Sequence, residues 1–383
     1  MTQCNRPRIL WVTNLAPPYR RYLWQRLGRT ADLRVGLLAS SEPNRTWDSR
    51  TPDSEYELIR LPSLPMGPSG LSRHLYFLTS TARSILSSAE PDVVMLGSYE
   101  SPAYQSILRA AHAARIPAVL WYESHSSSHR FNRGFVPWLR KRTIDQVDAV
   151  LAVGRSAYTS ALSQATEKRK ILGCNHIVDF PSIRRAVDHE RRSRAGEDLT
   201  TGHRFLYVGQ LIERKNILSL VEAFRKTANR DDELLIVGDG PQRREIESAG
   251  TRLHTGKVRL VGHKSCSDLW RLFSSSHTLV LPSTNEVFGQ VALEGLAADL
   301  HVVVARRTGV AADISGRPGV YVCEPTVEAI AEMLKLSRDD WRGPKKLSMA
   351  PFGVEQMVTA TCDAVLIALG SHSRHAAAAP LWR

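Results

Sequence analysis

Two carboxylates, Glu286 and Glu294, stand in the stretch Thr278-Leu-Val-Leu-Pro-Ser-Thr-Asn-Glu286-Val-Phe-Gly-Gln-Val-Ala-Leu-Glu294. The apolar run Thr278–Leu281, closed by Pro282, predicts a buried parallel strand. Phe288–Ala298 is rich in helix formers and free of proline, which predicts a helix. The first N–H groups of a helix lack intrahelical acceptors, and together with the helix dipole they favour an anion at residues 287–290. Gly289 lets the backbone come close to such a ligand. A carboxylate cannot bind the same anion, so both glutamates must serve another part of the molecule. An ionised carboxylate accepts from paired hydroxyls. Phosphate beside hydroxyls is the chemistry of a sugar nucleotide, with a diol on its ribose and more hydroxyls on its sugar. The plain alternative is an amphipathic helix carrying two solvated glutamates.

The elements that would position these groups recur along the chain. Short apolar strands are expected at Ile9–Val12, Leu33–Leu38, Val93–Leu96, Ala118–Trp121 and Ala149–Val153, and again at Phe205–Val208, Glu233–Val237, Val258–Val261, Thr278–Leu281 and His301–Val304. Helical patterns lie between them, as at Tyr104–Ala114, Leu218–Thr227 and Ser267–Ser274. That alternation implies an α/β protein with two parallel sheets, each covered by helices on both faces. Ligands of such sheets sit at the C-terminal ends of the strands, and a cleft between the halves is the natural site. Asp188–Gly202 is charged and reads as a surface connection, Leu61–Leu71 as a mobile Pro/Gly loop, and residues 371–383 as a frayed tail.

A chain of 383 residues exceeds one typical core, so two domains are expected. No apolar run reaches the ~18 residues of a spanning helix. The amino terminus leads straight into a strand without a signal-peptide pattern. Five scattered cysteines, with no Cys-x-x-Cys or Cys/His cluster, suggest small core residues of a reduced, cytoplasmic protein. The formal net charge is +13, and it is uneven: residues 1–180 hold 23 Lys and Arg against 14 Asp and Glu. Arg20, Arg21, Arg26, Arg29, Arg130, Arg133, Arg140, Lys141 and Arg142 interleave with Tyr19, Tyr22, Trp24, Phe131, Phe135 and Trp138. Such a surface can meet anionic lipid or attract phosphorylated substrates. No nucleic-acid-binding motif accompanies it, so no nucleic-acid partner is expected.

A second constellation lies upstream. Tyr207-Val-Gly209-Gln210-Leu-Ile-Glu-Arg214-Lys215-Asn216 follows a strand and opens a helix. Lys215 and Arg214 offer charge to a phosphate there. Gly238-Asp-Gly-Pro241 and Val261-Gly-His263-Lys264 close two further strands with glycine turns.

In this order, Gly209 to Lys215, Gly238-Asp-Gly-Pro, Val261-Gly, Pro282-Ser and the Glu286-x7-Glu294 pair resemble the family-4 retaining glycosyltransferases of GT-B fold. Lys170-Ile-Leu-Gly-Cys-Asn175-His-Ile-Val-Asp179 resembles the domain-junction segment of that family. The likeness spans roughly residues 90–325. It implies two Rossmann-like doubly wound domains facing across a cleft: residues 1–185 for the acceptor, rejoined by a helix at about 352–370, and 200–348 for the donor nucleotide. It implies a nucleoside-diphosphate sugar as donor, with UDP or GDP, and a sugar, lipid-linked or small-molecule acceptor. It implies no cofactor and no metal, and the sequence has no Asp-x-Asp.

Carried over by position, Lys215 would bind the donor pyrophosphate, Glu286 the hydroxyls of the transferred sugar and Glu294 the ribose. Val287, Phe288 and Gly289 would turn N–H groups to the pyrophosphate or sugar, and Gly209, Gly238, His263 and Lys264 would line the rest of the donor. The acceptor side would draw on Tyr19–Trp24, including Arg20, on Gly97–Ser101, including Tyr99 and Glu100, and on Glu123–Arg130. The chain departs from the family at three places. Gln210 replaces an arginine, and Arg214 is offered in its stead. Asn14–Arg20 replaces a glycine-rich loop, with Pro18 suited to begin a helix and Arg20 to reach a phosphate. Glu123 fills a histidine slot with His125 two residues on, and either could contact the reacting centre. Two other functions fit the same residues: a GT-B-like nucleotide-sugar epimerase, or a non-catalytic protein that binds sugar nucleotides or membranes.

Overall fold

The strands alternate their side chains between two cores. Along the first strand Leu10 and Val12 enter one cluster, Ile9 and Trp11 the other, and all four are buried. Phe205 and Tyr207 likewise oppose Leu206 in the second half. Both faces of each sheet are therefore covered, as the apolar runs require. The structure, a computed structural model, describes residues 6–41, 54–66, 75–129, 131–194, 202–251 and 254–370.

In chain order the strands are β1 (Arg8–Thr13), β2 (Asp32–Leu37), β3 (Glu57–Arg60), β4 (Ser63–Pro65), β5 (Tyr76–Leu78), β6 (Val93–Leu96), β7 (Ala118–Tyr122), β8 (Ala149–Val153), β9 (Ile171–Cys174), β10 (Arg204–Val208), β11 (Glu233–Val237), β12 (Lys257–Gly262), β13 (Thr278–Leu281), β14 (His301–Ala305) and β15 (Val320–Cys323). They form a seven-stranded sheet of order β3-β2-β1-β6-β7-β8-β9 and a six-stranded sheet of order β12-β11-β10-β13-β14-β15, with β4 and β5 pairing separately. All pairings within the two large sheets are parallel. In each, the order reverses once, between β1 and β6 and between β10 and β13, and such switch points open a crevice at the strand C-terminal ends.

The chain divides into two compact units. The first comprises the described residues within 6–124, 129–177 and 354–370, the second those within 125–128 and 178–353. The helix Val354–Ala368 belongs to the first, where Met357, Ala360, Ala364 and Val365 join the core of β1 and β8. The boundary falls between Ile177 and Val178, short of residue 185. The reason is the helix Phe180–Ser193, capped by Asp179, whose Ile183 and Val187 are buried in the second unit's core. That helix also corrects the reading of Asp188–Gly202 as a surface connection: its residues 188–193 are helical, and Arg191 donates to the Ala298 carbonyl at 2.7 Å.

The loop expected at Leu61–Leu71 contains β4, whose residues pair with β5; positions 67–71 lie outside the described residues, as do the tail 371–383 and Arg130. Cys174 and Cys323 are buried free thiols, and Cys362 is partly buried. Cys4 and the Cys266 side chain lie outside the described residues. Among the described residues no helix is long and apolar enough to cross a membrane.

Candidate functional site

The switch point of the second sheet gathers the groups singled out in the sequence. β10 exits into Gly209, β13 into Pro282, and the two strands are direct neighbours, with Leu206 paired to Leu279. Gly238, after β11, adopts φ +138°, and a Cβ there would stand 1.9 Å from the Gly209 carbonyl oxygen. Only glycine permits that approach. The amide of Gly209 donates to Val237 O at 3.0 Å and that of Gly238 to Gly262 O at 2.9 Å, so three glycine-bearing strand ends lie side by side. His263, exposed, and Lys264, partly exposed, follow Gly262 at this rim. The Gln210 carbonyl accepts from the buried Tyr207 hydroxyl at 2.9 Å, which ties the turn to the core.

The loop from Pro282 to Gly289 is pinned at several points. The Asn216 side-chain Nδ2 donates to Pro282 O at 3.1 Å and to Pro325 O at 2.9 Å. The Thr284 amide donates to Arg214 O, Gly309 N to Glu286 O, and Val310 N to Phe288 O. Gly289 lies in the left-handed region, φ +98°, and the helix begins after it, spanning Gln290–Ala297. The helix expected from Phe288 therefore starts two residues later: Val287–Gly289 belong to the loop, with Val287 exposed and Phe288 buried in the core.

Lys215 and Glu286 were expected on different parts of a ligand; here they meet. The Lys215 ammonium forms an ion pair with Glu286 Oε2, and the Arg214 guanidinium approaches the same oxygen at 3.5 Å. Both members of the close pair are 12% exposed. Burial lowers the Lys215 pKa, against the opposing pull of Glu286. Such a pair is bound on both sides yet poorly hydrated, so either charge can be recruited by a ligand that replaces its partner.

Glu294 has the opposite surroundings. It lies on the Gln290–Ala297 helix, and among the described residues no hydrogen bond or ion pair reaches its carboxyl. Burial alone pushes its pKa up to about 7. In its ionised form such a carboxyl accepts from a hydroxyl that enters.

His125 belongs to the second unit and is buried there. Its Nε2 lies 3.0 Å from the Glu286 carbonyl oxygen. A carbonyl only accepts, so Nε2 carries the proton, and burial lowers the ring's pKa, keeping it neutral at pH 7. His125 thus holds the Glu286 loop by its backbone. The short turn that carries it is closed by Ser128, whose Oγ accepts from His125 N at 2.9 Å.

In the first unit three expectations are corrected. Arg20 was assigned a phosphate; it is buried, donates to Glu123 Oε1 at 3.0 Å and to Thr13 Oγ1 at 3.1 Å, and stacks over the Trp121 ring at 5.0 Å. Glu123 was a candidate for the reacting centre. Its Oε1 also accepts from Trp121 Nε1 at 2.7 Å and lies 3.5 Å from His176 Nε2. Burial alone would raise its pKa, but Arg20, His176 and Trp121 outweigh it and hold the carboxyl well below the usual range. It is a fixed anion, unsuited to proton transfer at neutral pH. Tyr99 was placed on the acceptor side; it is 2% exposed, packed against Tyr122 and near Arg140, with burial raising its pKa. Glu100 beside it is exposed. Tyr19 is partly exposed and stacks edge-on with His176 at 5.1 Å. Trp121 and His176 escaped the sequence reading; the spacing of Trp121 and Glu123 at one strand exit is the signal that could have found the first. Among the described residues no group of three or more His, Cys, Asp or Glu could hold a metal ion.

Comparison with known proteins follows this division. Residues 15–171 match the model "Glycosyltransferase Family 4", and residues 190–350 match "Glycosyl transferases group 1". Each half of the chain is thus similar to a glycosyltransferase family model. Glycogen synthase of Mycobacterium tuberculosis is 28% identical to this chain over 258 residues, 64% of this chain and 62% of that protein. The chain thus spans less than two thirds of the length of this relative. Sulfoquinovosyl transferase SQD2 of Arabidopsis thaliana is 25% identical over 59% of this chain and 43% of its own. In fold, a glycosyltransferase from Rickettsia africae superposes with a TM-score of 0.71 at 17% identity, covering 96% of this chain and all of that one. Anabaena Alr3699/HepE in complex with UDP and glucose superposes with a TM-score of 0.64 at 16% identity, covering 95% and 98%. The architecture is the GT-B one: two doubly wound α/β domains.

Proposed function

We propose that this glycosyltransferase moves a hexose from a UDP- or GDP-sugar to a hydroxyl of a glycan, lipid-linked or small-molecule acceptor, with retention at the anomeric carbon. The observation that carries the reading is the meeting of Lys215, Arg214 and Glu286 at the β10/β13 switch point, one loop ahead of a helix start. The diphosphate takes Lys215 and Arg214, and the start of the Gln290–Ala297 helix adds its dipole. Glu286, released from Lys215, accepts from the sugar hydroxyls, and Glu294 accepts from the ribose diol. His125 positions the Glu286 loop without moving a proton.

In the reaction the bond from the anomeric carbon to the phosphate oxygen breaks. The bond to the acceptor oxygen forms on the same face, and the acceptor's proton passes to the departing phosphate. Lys215, Arg214 and the helix start stabilise the charge that develops on the leaving group. Gly209, Gly238, His263 and Lys264 complete the nucleotide side. The complex of Anabaena HepE with UDP and glucose supports a donor of this kind.

The test is a screen of UDP- and GDP-sugars for thermal stabilisation, followed by product analysis with the best donor, alone and with saccharide, lipid-linked and small-molecule acceptors. Transfer is expected only with an acceptor, with a retained anomer by NMR and no loss in EDTA. Glu286→Ala should abolish it. Conversion of the donor alone would indicate an epimerase, an inverted anomer would exclude front-face transfer, and full activity of Glu286→Ala would refute the site.

A further inference from the structure

One face of the first unit is built against the usual logic of a soluble surface. Between Glu123 and Asp145 the chain has five Lys and Arg and no Asp or Glu. Within this stretch Phe131, Phe135 and Trp138 are 51%, 67% and 54% exposed. Phe135 and Trp138 lie on the helix Phe135–Gln146 at a spacing of one turn, their rings 5.5 Å apart. Arg142 continues the same stripe, its guanidinium 5.4 Å over the Trp138 ring. Arg133 and Lys141 are exposed beside it. The helix's other side is anchored through buried Arg140, Thr143 and Ile144, with Arg140 held by Gln164 at 2.6 Å. The aromatic stripe is therefore held outward by its own helix.

A solvated helix face would alternate charge signs and keep large rings inside. Aromatic rings flanked by arginines with no carboxylate match a different environment: the boundary of a bilayer, where rings enter the acyl edge and cations meet anionic headgroups. We propose that Phe131, Phe135 and Trp138, with Arg133 and Arg142, form a docking surface for anionic lipid. The charge decides between occupants. A second copy of this chain would bring the same basic face to itself, which repels, whereas an anionic bilayer complements both the rings and the charge. The proposal is independent of the donor-site reading, since no residue is shared.

The experiment is co-sedimentation of the full chain with phosphatidylcholine vesicles, with and without phosphatidylglycerol, at low and at physiological salt. Wild type is expected to bind anionic vesicles at least tenfold better than neutral ones, and more weakly as salt rises. The double variant Phe135→Ala/Trp138→Ala and the pair Arg133→Glu/Arg142→Glu should each lose at least tenfold. All four side chains are exposed, so the melting temperature should not move, and the loss can be read as lost docking. Equal recovery in neutral and anionic vesicles, or unchanged binding of both variants, overturns the proposal. So does a wild-type dimer in light scattering that both variants abolish.

Discussion

Glu294→Gln is expected to make the second unit more heat-stable at alkaline pH and to leave it unchanged in acid. The carboxyl sits at about 7 in the folded protein against an ordinary 4.5, and burial is the cause. Between those values the folded chain keeps a proton that the unfolded chain has released. Stability contributed by this group therefore falls as pH rises through the window, and the full deficit is present above about pH 7. At ~1.4 kcal/mol per pKa unit the deficit reaches about 3 kcal/mol. For a unit of this size that corresponds to about 6 °C or more in melting temperature. The residue retains some contact with water, which screens the effect and makes this an upper figure. Glutamine mimics the protonated carboxyl and removes the titration. The assay is the difference in melting temperature between variant and wild type from pH 4.5 to 8.5, which cancels every other titrating group. A difference near zero at pH 4.5 that grows to several degrees by pH 8 supports the reasoning. Parallel curves refute it, because the carboxyl would then titrate as a solvated one. A ribose diol donates best to the ionised form, so UDP should bind wild type more tightly as pH rises from 6 to 8, with a smaller gain in Glu294→Gln.

Two further outcomes follow from the same loop and strand ends. Lys215→Ala should weaken UDP binding in calorimetry by at least tenfold, whereas Glu286→Gln should preserve or tighten it, because the carboxylate competes with the diphosphate for Lys215; a Glu286→Gln variant that binds UDP more weakly than wild type contradicts that competition. Gly238→Ala should cost about 3 kcal/mol or more, since its Cβ would strike the Gly209 carbonyl, while Gly316→Ala, where nothing lies within 4 Å, should cost about 1 kcal/mol from its backbone conformation alone; equal melting of the two variants would deny the close approach.

Much of the frame could be read from residue order because it is written locally. β6, β8, β11 and β13 occupy the expected residues, since three to five consecutive apolar residues in a doubly covered sheet have nowhere else to go. β3, β9 and β15 were missed, and all three are edge strands: β3 and β15 have no more than one buried residue each, so their pattern is weak, while β9 is buried but only four residues long and interrupted by Gly173. The helix after Glu286 was placed two residues early because helix propensity does not reveal that Gly289 turns left-handed. What no local pattern can report is which charge neutralises which. Arg20 and Glu123 stand 103 residues apart, Lys215 and Glu286 71 apart, and each pair meets only because parallel strands deliver their C-terminal ends to one edge. The two pairs have opposite meanings. Around Glu123, Trp121, His176 and Arg20 satisfy the same oxygen, so its charge is committed to the fold. Around Glu286, the partners are a lysine whose pKa burial has lowered and an arginine at 3.5 Å, and both cations are what a diphosphate would seek. A carboxylate whose counter-ions are themselves ligand-binding groups is freed when ligand arrives. That distinction, and not the residue types, separates the anion that builds the first unit from the one proposed to grip the sugar.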